Sequence, residues 1–248
     1  MSTPHKRTAS FGYREVPEDE KSGLVRGVFS SVARRYDLMN DLMSGGVHRL
    51  WKDAAVDWLN LRGGWTVVDA AGGTGDIAFR IAARAPGAKI IVCDINAEML
   101  AQGKRRAVRR GRANITWLNG DAEALPLPEN MADAFTIAFG IRNVTHIDKV
   151  LSEAYRVLKP GGRFLCLEFS KPAPGIDVIY DRYSFAVLPR LGQLIARDRE
   201  AYQYLAESIR RFPAQKPFAK MIEAAGFAEV KFRNLSGGIV AMHSGWKL

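Results

Sequence analysis

The residues best suited to chemistry are gathered between positions 71 and 146. "AAGGTGDIA" (70–78) places Gly73, Thr74 and Gly75 where a β-branched run ends and a helical pattern begins. Glycines there permit backbone conformations and close ligand approach that a Cβ would block, and the helix start beyond them favours the negative end of a ligand. Gly73-x-Gly75-x-x-Ala78 fits the dinucleotide fingerprint, with Asp94 about 20 residues on, where a ribose-binding acid belongs. Asp121 and Ala122 follow the next strand, so that acids stand at successive strand ends. Further on, "FTIAFGIRNVTH" (135–146) reads as a buried strand to Ile141 and then presents Arg142, Asn143 and His146.

Two nucleotides suit this pattern, NAD and S-adenosylmethionine, and the acids favour the second. Asp76 directly after the glycines would repel a pyrophosphate, whereas it could lie near a cationic sulfonium ligand or its ammonium group. A ligand without phosphate can set its own carboxylate on the helix dipole while nearby acids accept from its amines. Asp121 is placed to accept from an adenine amine, with the Ala122 N–H beside it. The bland alternative is that Asp94 and Asp121 only cap helices or turns.

Positioning these groups requires a parallel sheet wound with helices, and the chain has that rhythm. Strands are expected at 65–70, 89–95, "NITWLNGD", 133–140 and 163–170, with helices at 76–84 and 97–110, the latter ended by Gly111. Ile147, Val150, Leu151, Ala154 and Leu158 mark an amphipathic helix stopped by Pro160 and Gly161. Residues 171–213 interrupt the rhythm with aromatics, prolines and helical periodicity, too long for a connector and suited to a helical lid. A helix ending at Gly226 and two strands complete the pattern. Residues 1–60 are expected to form a helical N-terminal cap, and 1–248 a single domain.

At 248 residues, 47% hydrophobic and 25% charged, the composition is that of a soluble globular chain with room for one large core. No apolar run approaches a membrane span, and the N-terminus has no secretory h-region, so a cytoplasmic location is expected. Cys93 and Cys166 sit singly in apolar runs and are expected to be buried, reduced and inert. The four histidines lack metal-ligand spacing, so no metal is expected. The net charge of +10 suggests attraction to polyanions, with six cations in the nine residues "KRRAVRRGR" (104–112). No aromatic is interleaved to stack a base, which argues against specific nucleic-acid binding and for a solvated helix face.

The glycine loop, "SSVARRYDLMNDLMSGGVHRLWK" (30–52), "FGIRNV", "RVLKPGGRFLCLEF", "LEFSKP", "YLAESIRRFP" and "GGIVAMHSGWKL" closely resemble the ubiquinone and menaquinone biosynthesis C-methyltransferases from about residue 25 onward. The resemblance implies a Rossmann-like seven-stranded α/β methyltransferase sheet, mostly parallel with its last strand antiparallel. It implies transfer of a methyl group from S-adenosylmethionine to a ring carbon of a prenylated hydroquinone, 2-polyprenyl-6-methoxy-1,4-benzoquinol or demethylmenaquinol. Ala71 stands where methyltransferases generally have glycine, a departure this family looks to share. Matched residue by residue, Thr74, Asp94, Asp121, Ala122 and the Ala138 backbone fall on cofactor positions, and Tyr36, Arg142 and Asn143 on residues implicated in the chemistry.

That chemistry is deprotonation of a quinol hydroxyl, which pushes charge onto the ring. A phenol of pKa about 10 must be lowered, and a fixed cation in a dry pocket does so. Arg142 is the expected cation, Asn143 a donor to the same oxygen and Tyr36 a further donor or relay. Water, His48 or His146 is left to take the proton. The alternative for Arg142 is a surface ion pair with an acid such as Asp148. Ile179, Tyr183, Phe185, Val187 and Leu188, with Arg182 and Arg190, suit either core packing or a peripheral contact at the inner face of the membrane. Other quinone-biosynthesis enzymes and a homo-oligomer partner complete the expectations. The rival functions are methylation of RNA or another small molecule, a non-catalytic cofactor-binding subunit of a quinone-synthesis assembly, and an NAD dehydrogenase.

Overall fold

Parity along the strands decides the architecture. In β3 (Thr66–Ala70), Val67 faces one side of the sheet and Val68 the other, and each is wholly buried in a different apolar cluster. A strand buried on both faces must be covered by helices on both, which is the condition for a parallel sheet. A computed structural model describes residues 7–32, 41, 44–112, 114–182 and 199–248.

The chain opens with a short antiparallel hairpin, β1 (Thr8–Phe11) and β2 (Arg14–Pro17), turned at Gly12, φ +60°. This corrects the wholly helical N-terminal cap. Helix α1 (Glu18–Val32) follows, then α2 (His48–Leu59), β3, α3 (Asp76–Arg84), β4 (Lys89–Asp94), α4 (Ala97–Arg109), β5 (Ile115–Asn119) and β6 (Ala132–Ala138). After a 3-10 turn at Ile141–Asn143 come α5 (Ile147–Val157), β7 (Leu158–Phe169), α6 (Ile176–Arg182), α7 (Arg199–Arg211), α8 (Gln215–Ala224), β8 (Ala228–Leu235) and β9 (Val240–Trp246).

Seven strands form one sheet in the order β5-β4-β3-β6-β7-β9-β8. All pairings are parallel except those of β9, which enters antiparallel between β7 and β8. Val150, Leu151 and Ala154 of α5 and Phe218 and Ile222 of α8 pack with Phe135 and Phe164 on one face. Ala55 and Leu59 of α2 and Ile77 and Ile81 of α3 pack with Ile90 and Val92 on the other.

Three local details refine the sequence pattern. Asn96 caps α4 by accepting from the Glu98 and Met99 amides, and Gly111, φ +61°, turns the chain after it. Strand β7 begins at Leu158 rather than 163, pairing there with Ala132 before a register shift. Pro160, which has no N–H to donate, falls within that irregular stretch, where a strand tolerates it. Cys93 and Cys166 are buried and free.

Candidate active site

The polar residues converge at the carboxyl edge of the parallel strands, where open α/β sheets bind ligands. A cleft of about 750 Å³, counting space open to solvent, is walled by Ala71, Asp94, Met99, Asp121, Ala122 and Phe139 and by the segment Asn143–Thr145. Ser22, Val25 and Phe29 of α1 line it as well. Two non-glycine wall residues adopt positive φ, Ala71 at 48° and Phe139 at 55°. Such strain persists only where the surroundings enforce it. A Cβ on Gly140 would stand 2.6 Å from the Ala71 Cβ, so the methyl at 71 is accommodated by the glycine opposite.

Asp94 is 8% exposed; its Oδ2 accepts from Gly73 N–H at 2.8 Å and its Oδ1 from Asn96 N–H at 2.8 Å. Burial pushes its carboxyl above the usual range, against those two hydrogen bonds. Asp121 accepts from the Glu123 amide at 2.9 Å. Neither acid has a cationic partner among the described residues. Beneath them lies a third carboxylate that sequence reasoning missed. Asp69 is fully buried; Thr136 donates to its Oδ1 at 2.9 Å, and its Oδ2 has no partner. Burial, reinforced by the charges of Asp94 and Asp76, pushes Asp69 up to about 7. The loop passes directly over it, for a Cβ on Gly72 would meet Asp69 Oδ2 at 2.7 Å.

The glycines act from behind the wall. Gly73, φ +54°, donates its amide to Asp94 in a left-handed conformation that disfavours a side chain, and a Cβ there would also displace Met99 Cε, 2.7 Å away. Gly75, φ +81°, seats the Trp117 ring, which a Cβ would strike. Thr74 is buried, and its Oγ1 accepts from Arg106 Nη1 at 2.9 Å. Ala138 lies one residue before the wall, paired with Leu167. Asp76 faces away from the cleft, bound to Lys52 Nζ at 2.8 Å and 3.5 Å from Arg80. Although burial raises it, those cations hold its carboxyl below the usual range.

The 142–145 segment separates this cleft from a second cavity of about 500 Å³, lined by Lys21, Arg142, Val144, Thr145, Tyr204 and Arg211 among others. Arg142 faces the second cavity rather than the first. It is neither a surface residue nor a partner of Asp148: its side chain is 4% exposed, and Nη1 donates to Glu168 Oε1 at 2.8 Å and to the Phe139 carbonyl at 2.6 Å. Its Nε is buried without a partner. Burial raises Glu168, while Arg142 and two backbone amides oppose the rise. Asn143 does line the first cleft, and its Oδ1 accepts from the Tyr204 hydroxyl at 3.1 Å. Lys21 of α1 donates to the Val144 carbonyl at 2.7 Å and so ties the covering helix to the dividing segment.

Neither candidate histidine lines the cleft. His48 sits in a groove with Arg49, Arg80, Arg84, Arg106 and Arg110, and burial and Lys52 lower it to about 4. His146 lies 3.5 Å from Glu18. Tyr36, Tyr183, Phe185, Val187, Leu188 and Arg190 lie outside the described residues, as does the side chain of Ile179.

The whole frame matches a known family: residues 8–247 fit the model described as the ubiE/COQ5 methyltransferase family. The chain belongs to the ubiE/COQ5 methyltransferase family. It is 58% identical over 250 residues to a ubiquinone/menaquinone biosynthesis C-methyltransferase UbiE of Cereibacter sphaeroides, covering all of both chains. A protein of the same description from Brucella abortus is 59% identical over 244 residues, which are 96% of this chain and 91% of that one. Among solved structures, a SAM-dependent methyltransferase from Thermotoga maritima matches with TM-score 0.62 at 23% identity, over 90% of this chain and 100% of that one. Another from Aquifex aeolicus matches with TM-score 0.63 at 18% identity, over 85% and 97%. These likenesses bear on the fold.

As a member of the ubiE/COQ5 family, the chain is a methyltransferase. The groups that sequence reasoning missed, Asp69, Met99, Phe139 and Tyr204, differ in how far they could have been found. Asp69 is visible as a charged residue inside an apolar strand. Val25 and Phe29 have helical i, i+4 spacing, although nothing local says what they cover. Among the described residues, no helix is long and apolar enough to cross a membrane.

Proposed function

We infer that the chain transfers a methyl group from S-adenosylmethionine to a ring carbon of a polyprenylated hydroquinone, 2-polyprenyl-6-methoxy-1,4-benzoquinol or demethylmenaquinol, in ubiquinone or menaquinone synthesis. The observation that carries this reading is the pair of carboxylates, Asp94 and Asp121, left without cationic partners on a cleft that also receives Asn143. Such acceptors suit the hydroxyl and amine donors of an adenosine, and their net negative charge favours a ligand that carries a cation. When bound, S-adenosylmethionine supplies the methyl group as a sulfonium cation. Asp94 would take the ribose hydroxyls, and Asp121 with Ala122 the adenine edge. Gly73 holds Asp94 in place from behind through its amide.

On the other side, Asn143 Nδ2 would donate to the ring oxygen and favour its anion. The charge of Arg142 is met by Glu168 beside the second cavity, so in this reading Arg142 acts by holding the dividing segment through Glu168 and the Phe139 carbonyl, and Asn143 alone of the two reaches that oxygen. With both histidines off the cleft, water is the proton acceptor in this reading. Methyl transfer then asks mainly for alignment and exclusion of water, which α1 and the segment after α6 would enforce. The reading includes peripheral contact with the membrane through that segment, and Tyr36 as a further donor.

The basic run supports an RNA methyltransferase less than its charge suggests. It occupies the last half of α4 and the three residues after it, and none of its cations lines the cleft, Arg106 being bound to Thr74 behind the wall. The deciding experiment incubates the protein with methyl-labelled S-adenosylmethionine and each reduced quinol. Label on a ring carbon is expected, and label on oxygen, or on RNA alone, would overturn the assignment.

A further inference from the structure

We propose that Tyr204 is a positioning residue for the transfer: its hydroxyl holds Asn143 Oδ1 so that the amide Nδ2–H₂ faces the cleft and the acceptor ring. This rests on the role given to Asn143 above.

The geometry begins with an amide that can be flipped. An asparagine side chain presents oxygen or nitrogen to a partner with little difference in shape, so its hydrogen bonds must fix the choice. Asn143 sits at the end of the 3-10 turn, its own amide donating to the Gly140 carbonyl at 3.0 Å. Its backbone is thereby fixed, and the remaining freedom is rotation of the terminal amide. The Tyr204 hydroxyl removes it by donating to Oδ1 at 3.1 Å. Among the described residues, Nδ2 has no protein acceptor, and Asn143 lines the cleft.

The direction of that hydrogen bond follows from the surroundings. Burial, the largest influence, holds the Tyr204 phenol well above its ordinary pKa, so it stays a neutral donor. Of the two charges near the hydroxyl, Arg142 acts more strongly than Glu168. An amide oxygen can only accept, so the hydroxyl proton points to Oδ1. A reversed amide would also aim Oδ1 into a cleft already walled by Asp94 and Asp121.

Tyr204 is itself held. It is 4% exposed, and Phe11 of the N-terminal hairpin stacks on its ring at 4.3 Å with 21° between the planes. A hydroxyl on a ring clamped in this way loses little conformational entropy when it hydrogen-bonds. The hairpin and α7 thus reach the site through one side chain.

The test is Tyr204→Phe, which keeps the ring and its stacking. Turnover is expected to fall about tenfold, while S-adenosylmethionine affinity measured by calorimetry and the quinol KM each change less than about twofold. In an Asn143→Ala background the same substitution should change nothing further, since there is no amide left to orient. Phe11→Leu, which loosens the ring and spares the hydroxyl, should cut turnover by a smaller factor, and only with Asn143 present. Unchanged turnover in Tyr204→Phe, or an equal fall in both backgrounds, would overturn the positioning role. Wild-type turnover in Asn143→Ala alone would instead remove the reading of Asn143, and this proposal with it.

Discussion

On one side of the 142–145 segment, Asp69, Asp94 and Asp121 carry no cationic partner among the described residues; on the other, Arg142 and Glu168 neutralise each other at 2.8 Å. The first wall leaves negative charge for an incoming cation to meet, so its electrostatics are completed only by a ligand. The Arg142–Glu168 pair is complete in itself, and beside it Tyr204 and Asn143 offer directed O–H and N–H groups. Binding and activation can therefore be damaged separately, because they rest on different kinds of interaction.

Arg142→Met tests the paired wall most severely, since it strands a buried carboxylate. A loss of about 3–5 kcal/mol in unfolding free energy is expected from urea titration. Adding Glu168→Leu should restore most of that stability without restoring turnover. A double variant that is both stable and active would reduce Arg142 to a packing residue and erase the distinction between the walls.

Asp94→Ala addresses the unpaired wall. Losing hydrogen bonds to a charged acceptor costs about 2–3 kcal/mol, or roughly a hundredfold in S-adenosylmethionine affinity by calorimetry. Unaltered affinity would mean that the acids only hold the loop. Gly75→Ala sharpens the same point, because it strikes the Trp117 seat at φ +81° without touching the wall. A stability loss of about 1–3 kcal/mol is expected, with little change in affinity once folded.

A further test of the unpaired wall concerns pH. Asp69 is raised to about 7 in the fold, so its contribution is fully present below the unfolded value near 3.8 and is lost as pH rises through 7. Asp69→Asn should then gain up to about 4 kcal/mol relative to the parent at pH 8 and almost nothing at pH 4. Thermal melts at the two pH values decide this. An equal shift at both would show that the carboxyl is not buried as an anion at high pH.

The difference between the walls also explains what could be read from the residues alone. Asp94, Asp121 and Ala122 lie on strand ends within the regular β-α rhythm, whose periods of 2 and 3.6 are local signals. The sheet and most of its helices were legible for the same reason. Tyr204 meets Asn143 across 61 positions, and Phe11 meets Tyr204 from the other end of the chain, contacts that leave no periodic trace. The hairpin was missed because four-residue strands are too short to show alternation. Gly75 was legible as a necessary glycine but not as the seat of Trp117, since a positive φ and a bulky neighbour select the same residue.

Strand β9 follows β8 in the chain yet lies between β7 and β8 in the sheet. Until Val240–Trp246 docks, β8 has no strand to pair with and the edge of β7 stays open. An open edge is a template for pairing with another chain. The folding chain is thus most prone to aggregate before those seven residues dock, and a chaperone that shields strand edges would act there.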